Sequence, residues 1–171
     1  KIAIMTQRLG PNYGGIMQAY ALQKVLKDMG HEVVTINHHN PSKGAVYNLA
    51  RYGFRLLKKL TGQRKLSVNF EKNYPYIFQD TQAFVDKYIV QSEYIDNDQD
   101  LKSHFEKNNY DAVIVGSDQT WRPMYSPNIH NYYLDFLEDD TKIKKIAYAS
   151  SFGVDTWEYS AEETRRCAEL A

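Results

Sequence analysis

Cysteine is almost missing from this chain: Cys167 stands alone among 171 residues. A single thiol excludes an intramolecular disulfide and a cysteine metal cluster, and such usage fits a reducing compartment, so a cytoplasmic location is expected. An excess charge of one sign is missing too. Lys and Arg number 21, as do Asp and Glu, and the isoelectric point is near 7.1, so no global field draws the chain to nucleic acid or to anionic lipid. No apolar run approaches the roughly 18 residues of a membrane span, and the start of the chain reads as a strand rather than a signal peptide. Nucleotide motifs are absent as well. Gly10-Pro-Asn-Tyr-Gly14-Gly15 lacks the G-x-G-x-x-G spacing, no G-x-x-x-x-G-K-[ST] occurs, and the second strand ends in Asn37 where a ribose-binding carboxylate would be expected. No dinucleotide cofactor is expected. His38 and His39 are adjacent, so their side chains diverge and do not suit one metal; they read as exposed loop histidines.

What is present suits one α/β domain. Hydrophobic residues make up 43% of the chain, enough for a core and too many for disorder. Ile2 to Thr6 reads as a buried strand. A glycine-rich loop follows, then a helix of about 14 residues that ends at Met29 with Gly30 as its cap. On a 100° wheel Ala19, Leu22, Val25, Leu26 and Met29 share an apolar face, and Gln18 falls on that side, one turn from the helix start. Val33 to Ile36 is a second strand, completing a βαβ unit. Gly44 to Gly62 reads as an amphipathic helix, with Leu49, Tyr52, Leu56 and Leu60 on one side and Arg51, Arg55, Lys58 and Lys59 on the other. That basic face is either a solvated surface or a dock for a membrane surface or an anionic glycan. Residues 63–110 show helical spacing broken by Pro75, and Asp98 is a candidate cap for a helix ending near Asn109. A helical insertion across 44–108 is therefore expected. Lys144 to Ala149 is another strand, and Ser160-Ala-Glu-Glu163 is a capping box.

The stretch Asp111-Ala-Val-Ile-Val-Gly-Ser-Asp-Gln-Thr-Trp121 organises the rest. Ala112 to Val115 is an apolar run expected of a strand covered on both faces. Gly116 ends it, and Ser117, Asp118, Gln119 and Trp121 follow at once. In an open α/β sheet, ligands bind outside the carboxyl ends of the strands. If the strands at 2–6 and 111–116 are neighbours at the switch point, Asn12, Tyr13, Gly14, Gly15 and Gln18 come beside Ser117, Asp118, Gln119 and Trp121. The glycines and the helix start can receive a phosphate, a carboxylate or a sugar hydroxyl. They can equally be a tight turn without a ligand. Ser117 or Asp118 can likewise be a capped turn with Trp121 plugging the core edge.

Together these motifs resemble the polysaccharide pyruvyl transferase family. The resemblance rests on Asn12-Tyr-Gly14, Gln18-Ala-Tyr-Ala-Leu22, Gly30-His-Glu-Val33, Tyr110-Asp-Ala-Val-Ile-Val-Gly-Ser-Asp-Gln119 with Trp121 and Pro123, and Ile146-Ala-Tyr-Ala-Ser-Ser-Phe-Gly153. It implies transfer of a pyruvyl group from phosphoenolpyruvate to a saccharide as a ketal, in exopolysaccharide or cell-wall glycan synthesis. It also implies a Rossmann-like domain with a mostly parallel sheet, forming one half of a glycosyltransferase-B-like architecture. Residues 1–171 would be the amino-terminal, acceptor-side half, and the donor-binding half is not found among them. Phosphoenolpyruvate is then a donor substrate, and neither a cofactor nor a metal is implied. The partner is a saccharide acceptor, often lipid-linked or polymer-linked, with weak membrane contact through Arg51, Arg55, Lys58 and Lys59. In that chemistry Asp118 is the candidate catalytic carboxylate, orienting or deprotonating a sugar hydroxyl. Ser117, Gln119, Asn12 and Gln18 are candidate hydroxyl partners, and Trp121 a sugar-stacking surface. Ordinary glycosyl transfer from a sugar nucleotide and non-catalytic saccharide binding are the rival functions.

Overall fold

The strand that begins the chain, β1 (Ile2–Met5), is buried along its length because its two faces serve two cores. Ala3 and Met5 join Val113, Val115, Leu101 and Phe105; Ile2 and Ile4 join Ile114, Val33 and Leu26. The period of two along an extended chain imposes that split. The computed structural model describes residues 1–63 and 65–171. Among them β1, β2 (Val33–His38), β3 (Gln91–Ile95), β4 (Ala112–Gly116) and β5 (Lys144–Tyr148) form one parallel sheet in the order β3-β2-β1-β4-β5. Helices flank it, and the fold is α/β and Rossmann-like. β1 pairs with β4 from Ile2 opposite Ala112 to Met5 opposite Val115, which is the neighbour relation expected at the switch point.

The chain divides into two compact units, one made of Lys1–Pro41 with Phe84–Ala171 and the other of Ser42–Ala83. In the first, α1 (Tyr13–Asp28) lies on the core of Ile2 and Ile4 through Leu26. On the opposite face α5 (Asp98–Lys107) contributes Leu101 and Phe105, and Asn97 caps it by accepting from the Asp100 backbone N–H at 2.8 Å. The carboxy-terminal helix α6 (Ala161–Leu170) opens on a complete capping box between Ser160 and Glu163 and buries Cys167. In the second unit, α2 (Ala45–Leu60) is followed by a 3-10 turn at Phe70–Asn73 and by the short α3 (Tyr74–Ile77). Arg51 and Arg55 both donate to the carboxylate of Glu71, at 2.8 Å from Arg51 Nη2 and from Arg55 Nη1. The Arg55 guanidinium holds the Glu71 carboxyl down to about 2, far below the usual carboxylate range. The next helix, α4 (Gln79–Tyr88), begins in the second unit and ends in the first.

Two expectations change. The helical insertion across 44–108 is narrower, because Gln91–Ile95 is a sheet strand and Asp98–Lys107 packs on the sheet core. As an edge strand β3 buries only Ile95 fully, so Gln91-Ser-Glu-Tyr-Ile95 carries no apolar run to announce it. The buried side of α1 also differs, being Ile16, Ala19, Gln23 and Leu26, whereas Val25 and Met29 are exposed.

Gln23 sets that rotation. Its Nε2 donates to Thr35 Oγ1 and to the Val90 carbonyl, each at 2.9 Å, and its Oε1 accepts from the Val90 backbone N–H at 2.9 Å and from Lys27 Nζ at 2.9 Å. A buried amide satisfied at both ends stabilises; one deleted leaves its partners unpaired in the interior. Gln23→Ala is expected to destabilise the protein by about 3 kcal/mol, from the cavity and the orphaned Val90 backbone together, as measured by the urea unfolding midpoint.

Candidate functional site

β4 ends where the chain passes close to β5. Gly116 has φ +136°, and a Cβ there would lie 1.9 Å from the Tyr148 carbonyl oxygen, so only glycine fits. Beyond it the chain emerges at the carboxyl edge of the sheet. Asp118 accepts through Oδ1 from the Gln119 backbone N–H at 2.7 Å, and its carbonyl accepts from Ser151 N–H at 3.1 Å. Trp121 N–H donates in turn to the Ser151 carbonyl at 3.2 Å, so the loops after β4 and β5 are bonded to each other. Asn12 caps α1, its Oδ1 accepting from Gly14 N–H at 3.1 Å. Asp118 Oδ2 and Asn12 Nδ2 each lie 3.4 Å from the point where a Cβ on Gly15 would sit. The carboxylate therefore rests beside the first turn of α1, where the helix field favours negative charge.

A cavity of about 710 Å³ opens at this place. Gln18, Ser117, Asp118 and Gln119 line it together with an apolar wall that includes Leu22, Val25, Met29 and Tyr148. Four of the residues singled out from the sequence thus converge on one space. Asn12, Tyr13, Gly14 and Gly15 form the adjoining helix turn rather than the lining, and Tyr13 is exposed. Gln18 faces the cavity and not the core. Trp121 lies apart from these. It stacks on Tyr133 with ring centroids 5.6 Å apart, donates from Nε1 to the Tyr132 carbonyl at 3.2 Å, and lines a second cavity with Val115 and Phe152. Ile114 lines the first cavity and Val115 the second, so the indole and the carboxylate address opposite faces of β4.

Three supporting groups were not anticipated. Arg122 is held by Glu158 through Nε at 2.8 Å and Nη2 at 2.9 Å, and its Nη1 reaches Gln119 Oε1 at 3.3 Å. Gln7 Nε2 donates to the Gln119 carbonyl at 2.9 Å. Gly153, at φ +70°, leaves room for the Gln119 side chain, whose Cδ would be 2.2 Å from a Cβ there. Gln119 is consequently braced at both its backbone and its amide. Among the described residues no group of three or more His, Cys, Asp or Glu is placed to hold a metal ion.

The domain is thus a parallel, Rossmann-like α/β domain with a crevice at the switch point, the place where open sheets of this kind receive ligands. The family model for polysaccharide pyruvyl transferase matches residues 12–170, and the chain belongs to that family of transferases. No protein of curated function matches the chain. Among solved structures, a protein of the universal stress protein family from Burkholderia pseudomallei is similar at 12% identity, with 86% of this chain and 96% of that chain covered, at a TM-score of 0.37. That likeness is too slight to carry an argument.

The paired histidines are not exposed loop residues. His38 closes β2 and is buried, its ring stacked 6.1 Å from that of Tyr132 and its Nδ1 without a hydrogen-bond partner. His39 lies with Nε2 2.6 Å from Asn37 Oδ1 and its ring against Tyr94. Burial, more than the neighbouring Arg8 and His38, pushes the His39 imidazole down to about 4, and burial lowers His38 as well. Between an ordinary pKa of 6.5 and the depressed value of about 4, the unfolded chain binds protons that the folded chain refuses. Stability is therefore expected to fall as the pH drops through that window. Urea titrations at intervals from pH 7 to pH 4 check this, and His39→Gln is expected to flatten the decline.

Proposed function

We propose that this domain forms the acceptor side of a cleft in which a pyruvyl group passes from phosphoenolpyruvate to a saccharide and closes as a ketal. The observation that supports the reading most is Asp118, a carboxylate at the carboxyl end of β4, lining a cavity with Ser117, Gln119 and Gln18. The transfer needs a proton at the donor's methylene carbon, which becomes the methyl group. One sugar hydroxyl bonds to the adjacent carbon and loses its proton, which balances the one taken up by the methylene, and phosphate departs with the electrons of its C–O bond. A second hydroxyl then attacks the oxocarbenium centre and gives up its proton. On this reading Asp118 orients a hydroxyl and accepts that proton, and Gln119, braced by Arg122 and Gln7, bonds a neighbouring hydroxyl. Trp121, committed to Tyr133 and the Tyr132 carbonyl, backs the loop from the far side of the strand. On this reading the groups that grip the donor come from a second domain of the full-length protein, with the cleft between the two, and residues 1–171 alone are inactive.

Full-length protein is to be incubated separately with phosphoenolpyruvate and with sugar nucleotides, each with a saccharide acceptor, scoring phosphate against nucleotide release. Phosphate release that depends on both phosphoenolpyruvate and acceptor is the expected result. Nucleotide release would instead assign glycosyl transfer. Glycan binding without turnover in the parent would assign a binding protein. Asp118→Asn is expected to keep acceptor binding and to lower kcat by about 10²–10⁴-fold, the usual range for a lost general base.

A further inference from the structure

The second unit carries a helix face that the fold leaves bare. α2 has no buried residue, and Val46, Leu49, Leu57 and Leu60 are all exposed, Val46 to 84%. On a helical wheel the apolar side chains run from Tyr52 through Leu56, Leu49, Leu60, Val46 and Leu57 to Phe54, an arc of roughly 200°. The remaining arc holds Arg51, Arg55, Lys58 and Lys59. Its centre is occupied: Arg51 and Arg55 are bonded to Glu71 in the turn that follows the helix, which directs the charged side toward its own unit and the apolar side away. Among the described residues, the lysines that make no ion pair sit toward the borders. Lys58 lies 4.6 Å from the Phe54 ring centroid and Lys43, just ahead of the helix, 4.9 Å from that of Tyr47. No Asp or Glu occurs between Glu32 and Glu71.

We propose that α2 lies flat in the interface of an anionic lipid bilayer, with Val46, Leu49, Leu57 and Leu60 inserted and Lys43, Lys58 and Lys59 at the level of the lipid phosphates. No helix among the described residues is long and apolar enough to cross a membrane, whereas α2 is long enough to rest in its plane, about 24 Å at 1.5 Å per residue. The breadth of the apolar arc favours lipid over a protein partner. A groove on another protein takes a narrow stripe at i, i+3, i+4 and i+7, and would leave half of a 200° arc wet. A bilayer wets none of it. Lys58 and Lys43, whose ammonium groups reach over the Phe54 and Tyr47 rings at the edge of the arc, suit the headgroup level, where aromatic and cationic side chains sit together. The arginines, claimed by Glu71, contribute little, so the contact differs from one made by the basic face as a whole. The proposal stands apart from the transfer reaction, and its readout is lipid binding rather than turnover.

Full-length protein is co-sedimented at low salt with vesicles of phosphatidylglycerol in phosphatidylcholine and with phosphatidylcholine alone. Binding to the anionic vesicles, weakened by added salt, is expected. Leu49→Ser, Leu57→Ser and Leu60→Ser combined remove exposed side chains only, so the fold is kept by circular dichroism while binding falls more than tenfold. Lys58→Gln with Lys59→Gln is expected to weaken binding roughly tenfold at low salt and little at high salt. Equal sedimentation of the parent and the triple serine variant would overturn the proposal. So would a parent that ignores vesicles but forms a dimer, by light scattering, that the serine variant loses; that would make the face a contact between protein chains.

Discussion

The parallel pairing of β1 with β4 is the constraint on which the site depends. From that line the connections leave in opposite directions, β1 toward β2 through α1 and β4 toward β5 through the loop that carries Trp121 and Tyr132. The first turn of α1 and the loop after β4 meet at the point where the directions part, with Asp118 beside Gly15. Every polar contact around Asp118 is local to that arrangement. Breaking the register by one residue would send Ile114 and Val115 to the wrong faces and move the carboxylate to the other cavity.

Much of this was readable because parallel central strands advertise themselves. Ala112 to Val115 and Ile2 to Met5 are apolar on both faces, and the rule about carboxyl ends then pointed to Ser117, Asp118 and Gln119, which do share a cavity. What was illegible has identifiable causes. β3 is a half-wetted edge strand with polar residues, and local pattern cannot separate it from a loop. The direction of Trp121 was ambiguous because one residue of twist decides which side of a strand a side chain meets. The Arg122–Glu158 pair joins residues far apart in the chain, and nothing at either position signals the other. His38 was misread because a histidine at the end of a strand looks the same whether the strand stops before it or after it.

Zero net charge also conceals an uneven distribution. The stretch between Glu32 and Glu71 carries only cations, while Asp and Glu gather elsewhere. On α2, Arg51 and Arg55 face inward to one carboxylate, while Lys58 and Lys59 make no ion pair among the described residues. Planar guanidinium groups can share a carboxylate in fixed geometry, which flexible ammonium groups do less well. The difference between Arg and Lys on one helix thus sorts charge used for internal order from charge left for a surface.

Gln23 has a consequence for the cavity that it never touches. A helix seated on an oily sheet can roll, because contacts between aliphatic groups have little directional preference. An amide in the seat, bonded on one side to Thr35 and on the other to both backbone groups of Val90, acts as a key in a slot. It fixes the azimuth of α1. Gln18, Leu22, Val25 and Met29 then face the cavity because of a residue on the far side of the helix, and the shape of that crevice is registered against an edge of the sheet well away from Asp118.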